Sequence, residues 1–161
     1  MIRHASLPAR DPQRVATALA EIMGGRAYRF APISGAFMAA SGDPHGTMIE
    51  IYPEEIQLAP DEAGLIKKGA PAAFHPFHLL ISVPVERADI ERIGAREGWQ
   101  TEFCAAGAPG QKAAFHLYRM WIENRVLIEF VTDWMAAEYE EYYRHFDGFD
   151  ASPRNEARAT A

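Results

Sequence analysis

The sequence predicts an α+β fold in which two βαβββ modules form a cupped mixed sheet around a cavity, with one more helix at the C-terminus. Three observations predict it. A strand, helix and three-strand pattern runs twice along the chain, and a His early in each pass is matched by a Glu inside its last strand. With 161 residues, 48% hydrophobic and 24% charged, the chain can also bury one sizeable core without covalent staples.

Residues 2 to 8 (IRHASLP) read as a short strand. Asp11-Pro12 then offers an N-cap and an N1 proline to a helix with Val15, Leu19 and Ile22 at helical spacing, and Gly24-Gly25 stops it. Strands follow near 27 to 31 and 35 to 40. A turn at residues 41 to 46 leads into a strand from Thr47 to Pro53, where Met48 and Glu50 share one face. The first module therefore spans 1 to 53. Residues 54 to 76 hold Pro60, Gly64, Gly69, Pro71 and Pro76 with little periodicity and read as a connector with at most a short helical turn.

The pattern then restarts, and the second module spans 77 to 133. Phe77 to Pro84 is an apolar strand, and Val85 to Glu97 reads as a helix with Ile90 and Ile93 inward, closed by Gly98. A strand near 99 to 104, a Gly/Pro loop at 105 to 111 and strands at 113 to 122 and 125 to 132 complete it. Residues 134 to 161 are expected to form a helix, Trp134 to Phe146, and a frayed tail from Asp147.

The two passes place their ionisable residues alike. His4 and Glu50 stand 46 residues apart and His78 and Glu129 stand 51 apart, a difference that one loop absorbs, and Met48-Ile49-Glu50-Ile51 is echoed by Leu127-Ile128-Glu129-Phe130. Alternation gives both faces of the strand around Glu129 mainly apolar residues, so an ionised carboxylate there needs a partner. Two carboxylates brought together repel, and a divalent cation removes that penalty while neutral imidazoles complete its shell. Four ligands on an octahedral ion leave two positions for neighbouring substrate oxygens, which is a Lewis-acid site.

These residues resemble the vicinal oxygen chelate superfamily, which includes glyoxalase I, extradiol dioxygenases, methylmalonyl-CoA epimerase, fosfomycin-resistance enzymes and bleomycin-binding proteins. The resemblance covers about residues 2 to 132. Its most specific piece is Asp43-Pro44-His45-Gly46-Thr47-Met48-Ile49-Glu50, similar to the family's D-P-x-G-x-x-x-E turn and final strand, with His4, His78 and Glu129 at the other ligand positions. The turn before Glu129, Ile122-Glu123-Asn124-Arg125, lacks the proline and glycine, so that hairpin must be made differently. The resemblance implies one divalent metal (Zn, Ni, Co, Mn or Fe) on His4, Glu50, His78 and Glu129. It also implies glyoxalase-like lyase or isomerase chemistry through a metal-stabilised enediolate, with Glu50 or Glu129 as general base. An Fe(II) extradiol-type dioxygenase, in which one glutamate does not bind, and a metal-free drug- or metabolite-binding protein are the alternatives.

The remaining candidates carry less chemistry. His116 and Tyr118 in the predicted strand at 113 to 122 are candidate substrate contacts, with core packing as the ordinary role. His45 is expected in solvent, and His75 is a reserve ligand on the opposite face from His78. Cys104 reads as a small apolar filler. The net charge of -6, without a basic cluster beyond Lys67-Lys68, argues against nucleic acid and anionic membranes as partners. No apolar run approaches the roughly 20 residues of a membrane span and the start lacks a signal-peptide core, so a cytoplasmic protein is expected. A small-molecule substrate and a homodimer are the expected partners.

Overall fold

The computed structural model describes residues 3–58, 66–71, 77–106 and 115–143. The first module is β1 (His4–Ala9), α1 (Pro12–Ile22), β2 (Arg26–Arg29), β3 (Phe37–Ala40) and β4 (Met48–Pro53). Its sheet runs β1-β4-β3-β2, with β1 parallel to β4 and the other pairs antiparallel. The connector carries a small hairpin of β5 (Ile56–Leu58) and β6 (Ile66–Lys68), which the sequence reading missed because its Pro and Gly spacing hides the pairing. The expected helical turn has no counterpart among the described connector residues.

The second module repeats the order with β7 (His78–Ser82), α2 (Arg87–Glu97), β8 (Gln100–Ala106), β9 (Phe115–Ile122) and β10 (Val126–Val131). Its sheet runs β7-β10-β9-β8, the same arrangement as the first. Residues 107 to 114, which include most of the expected Gly/Pro loop, and the end of the expected C-terminal helix and its tail lie outside the described residues. So does His75. The helix α3 (Asp133–Tyr143) follows β10 directly. No helix among the described residues is long and apolar enough to cross a membrane.

Local chemistry explains the helices. Asp11 accepts a hydrogen bond from the Arg14 N–H at 3.0 Å and Pro12 occupies the first turn, which together satisfy an orphan donor and preset φ. Gly98 ends α2 in the left-handed conformation, at φ 71°, which a residue without a Cβ adopts at no steric cost. Val15, Leu19 and Ile22 of α1 and Ile90 and Ile93 of α2 are fully buried, and burying each such side chain stabilises the fold by about 1.5–3 kcal/mol.

One hydrophobic cluster runs through both modules, joining Leu7, Ile49 and Ile51 of the first sheet to Met120, Ile128 and Phe130 of the second through the two helices. At the rim of this cluster α1 and α2 are bridged by Arg14 to Glu97 at 2.6 Å and by Arg92 and Arg96 to Glu21 at 3.0 and 2.7 Å. Hydrogen bonds from both arginines, Arg96 foremost, hold the Glu21 carboxyl below its ordinary value. The pairs to Glu21 are solvent-exposed and add little stability, whereas the Glu97 side chain that Arg14 meets is largely buried.

The turn without proline or glycine is built from two left-handed residues, Glu123 and Asn124, at φ 50° and 56°. Its side chains explain why the strain persists. Asn124 accepts from the Gln100 N–H at 2.8 Å and donates to the Gly98 carbonyl at 3.1 Å, while Glu123 accepts from the N–H groups of Arg10 and Asp11 at 2.7 and 2.8 Å. The turn thus ties the second module to the start of α1. Glu123→Ala removes both acceptors and is expected to lower stability by about 1–2 kcal/mol in urea unfolding, with the slope unchanged.

Candidate functional site

Each sheet packs one face on its helix and leaves the other free of it. On the first sheet, strand alternation puts Leu7, Ala39, Ile49 and Ile51 on the helix side and His4, Ser6, Met38, Glu50 and Tyr52 on the opposite, open face. On the second, Met120 touches the Cβ direction of Gly94 in α2, so Met120, Ile128 and Phe130 face the helix. His78, Leu80, Arg119, Trp121, Leu127 and Glu129 therefore share the open face.

The registers of the two open faces agree. His4 pairs with Met48 and Glu50 stands two residues further along β4, while His78 pairs with Leu127 and Glu129 stands two residues further along β10. Each module therefore brings one imidazole and one carboxylate to neighbouring strands on the same face, a diagonal spacing of about 7–8 Å. Among the described residues the histidine of each sheet sits on an edge strand, since β1 and β7 each have one neighbour there.

Glu50 is buried, with 7% of its surface exposed. Ser6 Oγ donates to its Oε2 at 3.1 Å and the Tyr52 hydroxyl donates to the same oxygen. Burial of the phenol and its bond to Glu50 push Tyr52 above its ordinary value, which keeps it a donor at any physiological pH. Glu50 Oε1 carries no hydrogen bond among the described residues. Glu129 is half-buried and its Oε1 accepts from Arg119 Nε at 3.2 Å, which leaves Oε2 without a partner there. His4 and His78 are exposed, and neither makes a hydrogen bond or ion pair with a described residue.

The donor set, two unpartnered imidazoles and two carboxylates each with one oxygen held and one open, has the chemistry that a divalent transition-metal ion requires. Within one chain the described His, Cys, Asp and Glu residues form no group of three that could hold an ion. The registers thus set His4 and Glu50 on one face of the first sheet and His78 and Glu129 on one face of the second, and no group among the described residues joins the four.

The other expected residues fall elsewhere. His116 and Tyr118, the expected substrate contacts, lie on the helix side of β9, opposite to Arg119 and Glu129. His116 stacks on Phe103, with ring centroids 5.3 Å apart and planes at 5°, and its Nδ1 lies 2.9 Å from Glu138 of α3. Tyr118 is buried and donates to Glu91. His45 is exposed in its turn, where its N–H and that of Thr47 bond Asp43, and with the Thr47 hydroxyl these hold that carboxyl far below its usual range. Cys104 is buried, and desolvation raises its thiol above the ordinary value, as a packing role requires. Sequence reasoning passed over Arg119, and the available signal was a charged residue inside the apolar run Tyr118 to Ile122.

No protein-family model matches the sequence, and no curated protein matches it. Solved structures do. An integron cassette protein from the mobile metagenome of V. cholerae superposes with a TM-score of 0.51 at 14% identity, covering 83% of this chain and 94% of that one. Lactoylglutathione lyase from Agrobacterium tumefaciens superposes with a TM-score of 0.51 at 12% identity, covering 83% and 93%. At these identities the likeness concerns the fold, and it extends over both modules. The duplicated sheet order and these superpositions together show that the chain has a paired βαβββ fold like that of this lyase.

Proposed function

We propose that this chain is a metal-dependent enzyme of glyoxalase-like type that acts on a small oxygen-chelating metabolite, and that its site is completed between two copies. The observation that carries the reading is the pair of half-sites, each with a free imidazole and a carboxylate with one open oxygen at equal register. His4 and Glu50 of one open face and His78 and Glu129 of another would hold one ion of the Zn, Ni, Co, Mn or Fe class. When bound, that ion would supply Lewis acidity toward two neighbouring substrate oxygens. The edges of β1 and β7, unpaired among the described residues, support assembly across a homodimer, because an unpaired strand edge accepts a second copy.

The chain's own residues then have distinct tasks. Ser6 and Tyr52 fix the Glu50 carboxylate through Oε2, which orients the open Oε1 without a rotamer search. Proton removal next to a substrate carbonyl needs a carboxylate within hydrogen-bond reach, and Glu50 or Glu129 would fill that role. Leu80, Trp121, Leu127 and Met48 give the surrounding open faces apolar walls that exclude water from the reacting carbon.

A metal-free binding role has one observation in its favour, since Arg119 already compensates Glu129. Elemental analysis of purified protein and of His78→Ala separates the readings. About one bound metal per chain in the wild type and loss of about tenfold or more of it in His78→Ala is the expected result. Iron accompanied by oxygen uptake would shift the reading to ring-opening oxygenation, and no metal in either sample would leave binding alone.

A further inference from the structure

On the face of the second sheet opposite to Glu129, three rings from three elements come together. Phe103 of β8, His116 of β9 and Trp134 of α3 form one group, with the indole centroid 6.3 Å from Phe103 and 5.5 Å from His116. Among the described residues only two large apolar side chains are exposed, Tyr28 and Trp134, each at 48%. The residue that pairs with His116 on β8 is Ala105, itself exposed, so no long side chain stands beside the imidazole on that strand.

Glu138 orients the imidazole. Its Oε2 accepts from the His116 backbone N–H at 3.0 Å as well as from Nδ1. An ionised carboxylate only accepts, so Nδ1 carries a proton and the neutral ring presents the lone pair of Nε2. Neither Nε2 nor Glu138 Oε1 has a hydrogen-bond partner among the described residues, and the two side chains are 31% and 36% exposed. The ring faces suit positive charge as well. Arg87 lies 4.5 Å from the Phe103 centroid, whereas no described cation lies over Trp134, and an indole is the best cation-binding ring.

We propose that this patch is a second ligand site, independent of the metal reading, and that it takes an aromatic ammonium, a flat ring carrying a primary amine on a short chain. The ligand's ring covers the exposed indole, which removes apolar surface of both from water. Its ammonium donates to Glu138 Oε1 and His116 Nε2. Charge decides against other aromatics. Arg87 faces Glu91, Glu138 and Asp133, the chain neighbour of Trp134, and the balance of two negative charges repels a ring that bears a carboxylate.

The test is ligand-observed NMR titration of the full-length protein with phenethylammonium. Saturable binding is expected, and ethylammonium, which lacks the ring, and hydrocinnamate, which carries a carboxylate instead, are each expected to bind about tenfold more weakly or not at all. Trp134→Ala is expected to weaken the amine about tenfold. Glu138→Gln keeps an acceptor for His116 and loses only the charge, so the amine is expected to weaken about threefold while its advantage over hydrocinnamate narrows. Tyr28→Ala removes the other exposed aromatic and should change nothing. Thermal unfolding checks that the variants fold, and Glu138→Gln decides alone where Trp134→Ala does not. Absence of saturable amine binding, undiminished affinity in either folded site variant, or hydrocinnamate binding as tightly as the amine would overturn the proposal and leave the metal reading untouched.

Discussion

Mixing a His4→Ala/Glu50→Gln chain with a His78→Ala/Glu129→Gln chain, under conditions that exchange protomers, is expected to restore about a quarter of wild-type metal binding although neither chain binds metal alone. The expectation follows from the half-sites. Each variant keeps one module intact, and among the described residues of a single chain no three donors of the kind an ion needs come together. If a site joins the first module of one copy to the second module of its partner, random exchange makes about half of the dimers mixed, and each mixed dimer has one of its two sites complete. Recovery of binding, followed by metal analysis of the isolated mixed dimer, would locate the site between copies. Mixed dimers that form and bind nothing would show that the four residues do not share an ion across chains. The substitutions lie on exposed or open-face positions, so both variants are expected to fold, which thermal unfolding checks.

The second large effect is structural. Gly25→Ala is expected to cost about 3 kcal/mol or more in unfolding experiments and to give poorly folded protein at 37 °C. A Cβ at Gly25 would lie 1.8 Å from the Ala40 carbonyl oxygen and 2.8 Å from the Ser41 Cα, and both are backbone atoms that no rotamer change can move. The Gly25 N–H also closes α1 by donating to the Ala20 carbonyl at 2.8 Å, so the helix end cannot swing away without losing that bond. Since Ala40 pairs with Met48, two residues before Glu50, displacement there also shifts the first half-site. A Gly25→Ala protein with wild-type stability would mean that the α1 to β2 connection is far more pliable than this contact implies.

Much of the fold was legible because the signals were local. Asp11-Pro12 and Gly24 bracket α1, Gly98 ends α2, and alternation around Glu50 and Glu129 gives each strand its two faces. The connector hairpin was not legible, since a two-stranded pairing between β5 and β6 leaves almost no period in so short a run. The face of His116 and Tyr118 was not legible, because a one-residue choice of parity in β9 decides it and only pairing with β10 fixes it.

The sequence by itself determined that two like modules exist and that an imidazole and a carboxylate recur in each, because hydrophobic period, caps and turn residues act over a few positions. Only the tertiary structure decided that Ser6 and Tyr52 hold one carboxylate while Arg119 holds the other, and that no three metal-type donors come together among the described residues. Those facts depend on contacts between strands that lie far apart along the chain, where register and packing act together and no local pattern records the outcome.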